Sequence, residues 1–254
     1  MTATPTINSP SKIWLFTEGG RAMFDWGLSI FSKPIWKDLP NGNGEPVLVL
    51  PGFMASDIST KYLRNFLKKK NYTPYSWGLG RNKGDFTNTS PTIFSNLDKI
   101  TSHHNQKIHL IGWSLGGVFA REIAKEKPDL VKSVITMGSP FANINQKTNA
   151  SWLFDFVSKR VKTNEEYSKM DTIHEPPTMP STAIFSKSDG IVNWKGCLEP
   201  EMPHTENVQV HAAHMSLGVH PASLVCIADR LAQKEGDWKP FQPVGKVKNM
   251  FPSF

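Results

Sequence analysis

Cysteine is scarce in this chain: Cys197 and Cys226 are the only two among 254 residues. That is too few for a disulfide framework, so both are expected as free thiols and stability must come from a buried apolar core. Also missing is any uninterrupted apolar run of about 18 residues, the length a bilayer-spanning helix needs. The segment Met1–Lys12 is polar, without the charged start, apolar run and small-residue cleavage site of a secretory leader. The expectation is therefore a cytoplasmic protein. No internal repeat or low-complexity tract is visible, which excludes solenoids and arrays. Nucleic-acid recognition motifs are absent as well. His211-x-x-His214 is the one spacing that invites a metal, but no third ligand accompanies it, so neither metal nor cofactor is expected.

What is present suits one α/β domain covering residues 1–254, since a chain of this length can bury a single substantial core. The formal charge is +7, from 29 basic and 22 acidic residues. Without a nucleic-acid motif, this reads as a diffuse basic surface, with mild attraction to anionic membranes left open.

Residues 1–44 form an N-terminal arm. Between Ser11 and Trp36 it is crowded with large apolar groups, and Gly19-Gly20 interrupts it, giving one broken helix or two short ones. Its aromatics could pack on a sheet, dock at a membrane surface or form a dimer face. Pro46–Leu50 then reads as a buried strand, Ser59–Lys70 as a helix with Leu63, Phe66 and Leu67 inward and its lysines mostly solvated, and Tyr72–Trp77 as a second strand. A Gly-rich loop leads to a helix over 91–104. Strands at 108–111, 131–137, 182–185 and 208–210 follow, with a closing helix over 221–232. Strands alternating with helices imply a parallel sheet, here of about six strands. Residues 141–180 break this rhythm with an apolar cluster, Trp152 to Val157, and several prolines. An excursion that long between core strands is usually functional. It is expected as a small cap insertion, the plainer reading being a surface helix.

One stretch organises the chemistry. The strand that starts at Ile108 runs into Gly112-Trp113-Ser114-Leu115-Gly116, and a helical segment follows to about Lys127. In such a G-x-S-x-G turn the serine is forced out over the sheet edge, and the flanking positions come too close to the turn to carry a Cβ. The helix that begins there points its positive end at the site.

On these residues, together with Leu50-Pro51-Gly52-Phe53 after the first strand, the chain resembles the α/β-hydrolase superfamily, and in particular its small bacterial lipase/esterase-like members, from about Glu45 to Arg230. The resemblance implies a minimal version of that fold and a nucleophile at Ser114, followed in chain order by an acid and a histidine. Asp189, in the Asp-Gly-x-Val turn after the 182–185 strand, matches the acid. His214, just beyond the 208–210 strand, matches the base, with His220 as an alternative. The oxyanion hole implied is a pair of main-chain amides, Leu115 and Phe53. Met54, Trp113, Trp152 and Phe156 are candidates to line the substrate site. The expected activity is hydrolysis of a carboxylic ester, with a small-molecule or lipid substrate. Acyltransfer or thioester hydrolysis with the same triad, or a non-catalytic binding relative, are the alternatives. The elbow residue is serine, which disfavours aspartate-nucleophile chemistry.

Overall fold

A computed structural model describes residues 10–142 and 172–252. Its centre is a sheet of β1 (Pro46–Leu50), β2 (Thr73–Ser76), β3 (Ile108–Trp113), β4 (Val131–Met137), β5 (Ser181–Phe185) and β6 (Thr205–Gln209). The spatial order is β2-β1-β3-β4-β5-β6, and every pairing is parallel. Covered on both faces, the central strands need no polar alternation. Val47 and Val49 of β1 enter the core on one side, with α2 (Lys61–Lys69) and α5 (Pro221–Leu231). Leu48 and Leu50 enter the other, with α3 (Phe86–His104) and α4 (Leu115–Glu126). The expectation of about six parallel strands flanked by helices holds.

Several boundaries differ from the sequence reading. The Ser11–Trp36 arm is neither a broken helix nor two short ones. It is one 20-residue helix, α1 (Lys12–Phe31), followed by a 3-10 segment, Lys33–Asp38. Gly19 and Gly20 lie within α1 without ending it, and long-range hydrogen bonds accepted by Glu18 and Asp25 and donated by Ser29 pin the helix to the rest of the protein. Helix α3 begins at Phe86, capped by the Asp85 carboxylate on Asn88 N–H, and Pro91 falls inside it. The last strand starts at Thr205. Its polar residues are used along the edge: the Glu206 carboxylate accepts from Thr182 Oγ1 and Arg230 Nη1. Lys70, read as solvated, is buried and donates from Nζ to the carbonyls of Trp36 and Leu39 at 2.8 and 2.6 Å.

The Trp152–Val157 cluster lies outside the described residues. The described ends of the excursion belong to the core. Phe141 is fully buried, and the backbone N–H groups of Phe141 and Ala142 both donate to the Gly196 carbonyl. On the return, Arg121 of α4 donates to the carbonyls of His174 and Glu175 and pairs with Glu199, with both side chains buried. Among the described residues no helix is long and apolar enough to cross a membrane, and no group of His, Cys, Asp and Glu could hold a metal. Both cysteines are free and buried.

Candidate active site

The turn from β3 into α4 is as tight as its glycines suggest. A Cβ on Gly112 would lie 2.3 Å from the Gly116 carbonyl oxygen, and one on Gly116 would lie 2.3 Å from that of Leu50. Neither neighbour can yield, because both are backbone. Between them Ser114 sits at φ 53°, ψ −123°, in a region an L-residue adopts only under constraint. The constraint is visible: Ser114 N–H donates to the Met137 carbonyl at 2.8 Å, tying the turn to the end of β4.

Asp189 follows β5, and both its oxygens are engaged. Oδ1 accepts from the N–H groups of Ile191 and Val192 at 2.8 and 2.7 Å, while Oδ2 lies 2.6 Å from His214 Nδ1. Two amides on one oxygen aim the other at the imidazole. His214 lies beyond β6, in a short 3-10 turn, and is buried. Burial is the strongest single influence on its charge and opposes protonation. The charge and hydrogen bond of Asp189, with the charge of Glu18, outweigh it and hold the pKa above the ordinary histidine value.

The serine turn and the histidine–aspartate pair are neighbours. A Cβ on Gly138, the residue after Met137, would lie 3.0 Å from His214 Nδ1 and 3.2 Å from Asp189 Oδ2. Trp113, directly before Ser114, donates from its indole N–H to the His214 carbonyl at 3.0 Å. Three loops, after β3, β5 and β6, therefore converge at the carboxyl end of the sheet. His220 goes elsewhere: it caps α5, its ring accepting from Ala222 N–H at 3.3 Å.

Leu115 opens α4, where first-turn amides have no partner within the helix. Phe53 follows Gly52, and a Cβ on Gly52 would lie 3.3 Å from Ser114 Cβ, so the loop after β1 passes directly against the serine. Met54, at φ 56°, is exposed. Trp152 and Phe156 lie outside the described residues.

Three residues that sequence reasoning did not single out hold these loops. Asn82, fully buried, donates from Nδ2 to the Pro51 carbonyl, and its backbone bonds both Met54 N–H and the Ala55 carbonyl. Glu18 of α1 accepts from Gly190 N–H at 3.1 Å through Oε2 and from Met215 N–H at 2.9 Å through Oε1. One carboxylate thus grips the residues immediately after Asp189 and His214. Asp25 accepts from Ala213 N–H at 3.0 Å and from Ser216 Oγ. The sequence did carry a signal for the last two: Glu18, Ala22, Asp25 and Ser29 fall at i, i+4, i+7 and i+11, one stripe of a helix, and these are its buried residues.

Residues 97–173 match the family model described as the alpha/beta hydrolase fold. Among solved structures, Aspergillus fumigatus lipase B aligns with a TM-score of 0.58 at 15% identity, over 78% of this chain and 55% of that one. A monoacylglycerol lipase from Paleococcus ferrophilus aligns at 0.53 and 15% identity, over 75% of this chain and 96% of that one. An alpha/beta superfamily hydrolase from Oenococcus oeni gives 0.53 at 15% identity, over 74% and 91%. No curated protein sequence matches the chain. At such identities the likeness is one of fold.

Proposed function

From a chain that carries the α/β-hydrolase fold, we propose a serine hydrolase that cleaves carboxylic esters through an acyl-enzyme on Ser114. The observation that carries this reading is the His214 Nδ1–Asp189 Oδ2 contact of 2.6 Å, tied to the residue before a strained serine by the Trp113 indole and passing close to Gly138. A serine hydroxyl is a weak nucleophile until a base takes its proton. With Nδ1–H committed to Asp189, the neutral ring keeps its lone pair on Nε2, and that atom accepts the Ser114 proton as Oγ attacks the ester carbonyl. The tetrahedral oxyanion is met by the N–H groups of Leu115 and Phe53, supported by the positive end of α4. His214 then protonates the departing alkoxide. Water repeats the sequence on the acyl-enzyme and frees the acid. The apolar Phe53-Met54 loop beside Ser114 favours an acyl chain over a polar amide.

The test is turnover of nitrophenyl esters across a range of acyl lengths, with fluorophosphonate labelling in parallel. Ser114→Ala should lose turnover by ~10³-fold or more and all labelling, with folding intact. An unlabelled wild-type serine would instead make the chain a non-catalytic relative. A folded mutant that keeps its activity would move the nucleophile elsewhere.

A further inference from the structure

Helix α1 is turned inside out. Its two acidic residues, Glu18 and Asp25, face the protein and are spent on backbone N–H groups and a hydroxyl around the candidate site. Its large apolar side chains face outward: Phe16 is 92% exposed and Phe31 84%, with Ile13, Met23, Phe24 and Ile30 also open to solvent. Ten large apolar residues of this one helix are exposed, far beyond the scattered singles of an ordinary surface. Lys12 is the one exposed charge within the helix, and the next exposed charges beyond its end are also cationic. Lys12 opens the helix and Lys33 follows its end, then Lys37, and the first exposed carboxylate is Asp38, beyond the helix. A cleft of about 500 Å³ opens at its flank, between α1 and the loops after β5 and β6. Arg21 and Lys187 stand on its walls with Trp14 and Phe24. Asp25, the carboxylate in that wall, is already taken by Ala213 and Ser216.

We propose that the outward face of α1 docks on an anionic lipid bilayer, its apolar side chains entering the acyl boundary while the lysines meet the headgroups. The charge pattern selects this occupant. A surface whose carboxylates are all turned inward and whose rim is cationic complements a negative interface. A second copy would instead bring the same lysines toward one another. The polar seam links docking to the candidate site, because the inner face of α1 holds the residues that follow Asp189 and His214.

The experiment is co-sedimentation of the full chain with vesicles of phosphatidylcholine alone or mixed with phosphatidylglycerol, at low and high salt. Binding should require the anionic lipid, fall with salt, and drop at least tenfold in the double variant Phe16→Ser/Phe31→Ser. Thermal unfolding confirms that the variant is folded. Two reserve substitutions, Lys12→Glu and Lys33→Glu, should weaken binding without touching the apolar face. No vesicle binding, equal binding to neutral vesicles, or an unchanged double variant would overturn the proposal. So would a concentration-dependent dimer abolished by the same variant, which would give the face to a second copy. Ester turnover is measured separately, so failure of the hydrolase reading leaves this result standing.

Discussion

Helices α1 and α2 are both amphipathic, and they face opposite ways. In α2 the buried residues are Leu63, Phe66 and Leu67, and Lys61, Lys68 and Lys69 point to water. In α1 the buried residues are Glu18, Ala22, Asp25 and Ser29, with the aromatics outside. A periodic apolar stripe establishes that a helix has two faces. It does not establish which one the protein keeps. That is decided by what the neighbouring surface offers. Helix α2 meets the apolar side of the sheet. Helix α1 meets the carboxyl end of the sheet, where loops after β5 and β6 present N–H groups that a carboxylate can satisfy.

The comparison breaks most sharply on the inner faces. In α2, Phe66→Ala removes a ring that is fully buried against Trp36 and should cost about 3–5 kcal/mol, as core phenylalanine truncations do. The corresponding inner change in α1, Glu18→Ala, removes no comparable apolar area. It leaves the N–H groups of Gly190 and Met215 unpaired and Arg21 without its counter-charge. A loss of roughly 1–3 kcal/mol is expected from such orphaned groups. Chemical denaturation of both variants measures the pair. Ester turnover should fall in the α1 variant out of proportion to stability, since its hydrogen bonds end next to Asp189 and His214. If Glu18→Ala unfolds the protein no less than Phe66→Ala and leaves kcat/KM of the folded fraction untouched, α1 is merely structural.

A gentler substitution keeps the side-chain shape and removes the charge. Glu18→Gln keeps one of the two oxygen acceptors, sets an NH2 against the other backbone N–H, and removes the negative charge that helps raise the His214 pKa. A base works only when neutral, so a raised pKa places the acid limb of kcat/KM at higher pH than an ordinary histidine would. Without the Glu18 charge the His214 pKa falls, and the acid limb should move to lower pH. Lys68→Gln on the outer face of α2 should leave the limb where it is. A pH–rate profile that is the same in Glu18→Gln and wild type would make Glu18 a pure hydrogen-bond acceptor.

The same contrast explains which features the amino-acid sequence makes legible by itself. The sheet and the elbow are legible because the four inner strands are short, largely apolar runs and because Gly112 and Gly116 are demanded by steric contacts within one turn. Asp189 and His214 are legible as positions at strand ends, although nothing in sequence measures the distance between them. Asn82 is not, because its role is to bridge Pro51, Met54 and Ala55 across a long loop, a long-range contact with no local signature. Glu18 carries a signal, the stripe it shares with Ala22, Asp25 and Ser29, that a second feature overrides. Helix α1 reads as apolar, which assigns its carboxylates to solvent. Gly19-Gly20 misleads in the same way, since helix propensity is a weak prior that tertiary contacts override.

That pair of glycines gives the smallest and cleanest test. In most helices a Gly-Gly step survives for a reason: a close neighbour, a positive φ or a bend. Neither of the first two applies at 19 and 20. A Cβ built on either meets nothing within 4 Å, and neither has a positive φ. Gly19→Ala and Gly20→Ala should therefore each stabilise the protein by about 0.5–1 kcal/mol, through reduced freedom of the unfolded chain and better helix propensity. Gly116→Ala, built into a contact of 2.3 Å with the Leu50 carbonyl, should do the opposite and disrupt the elbow. Thermal unfolding of the single variants and the α1 double variant reads the effect directly. Stabilisation without change in ester turnover would mean that α1 is a preformed rigid strap. Stabilisation accompanied by lost turnover or weakened vesicle binding would mean that its glycines are there to let the outer end of the helix move relative to the seam at Glu18 and Asp25.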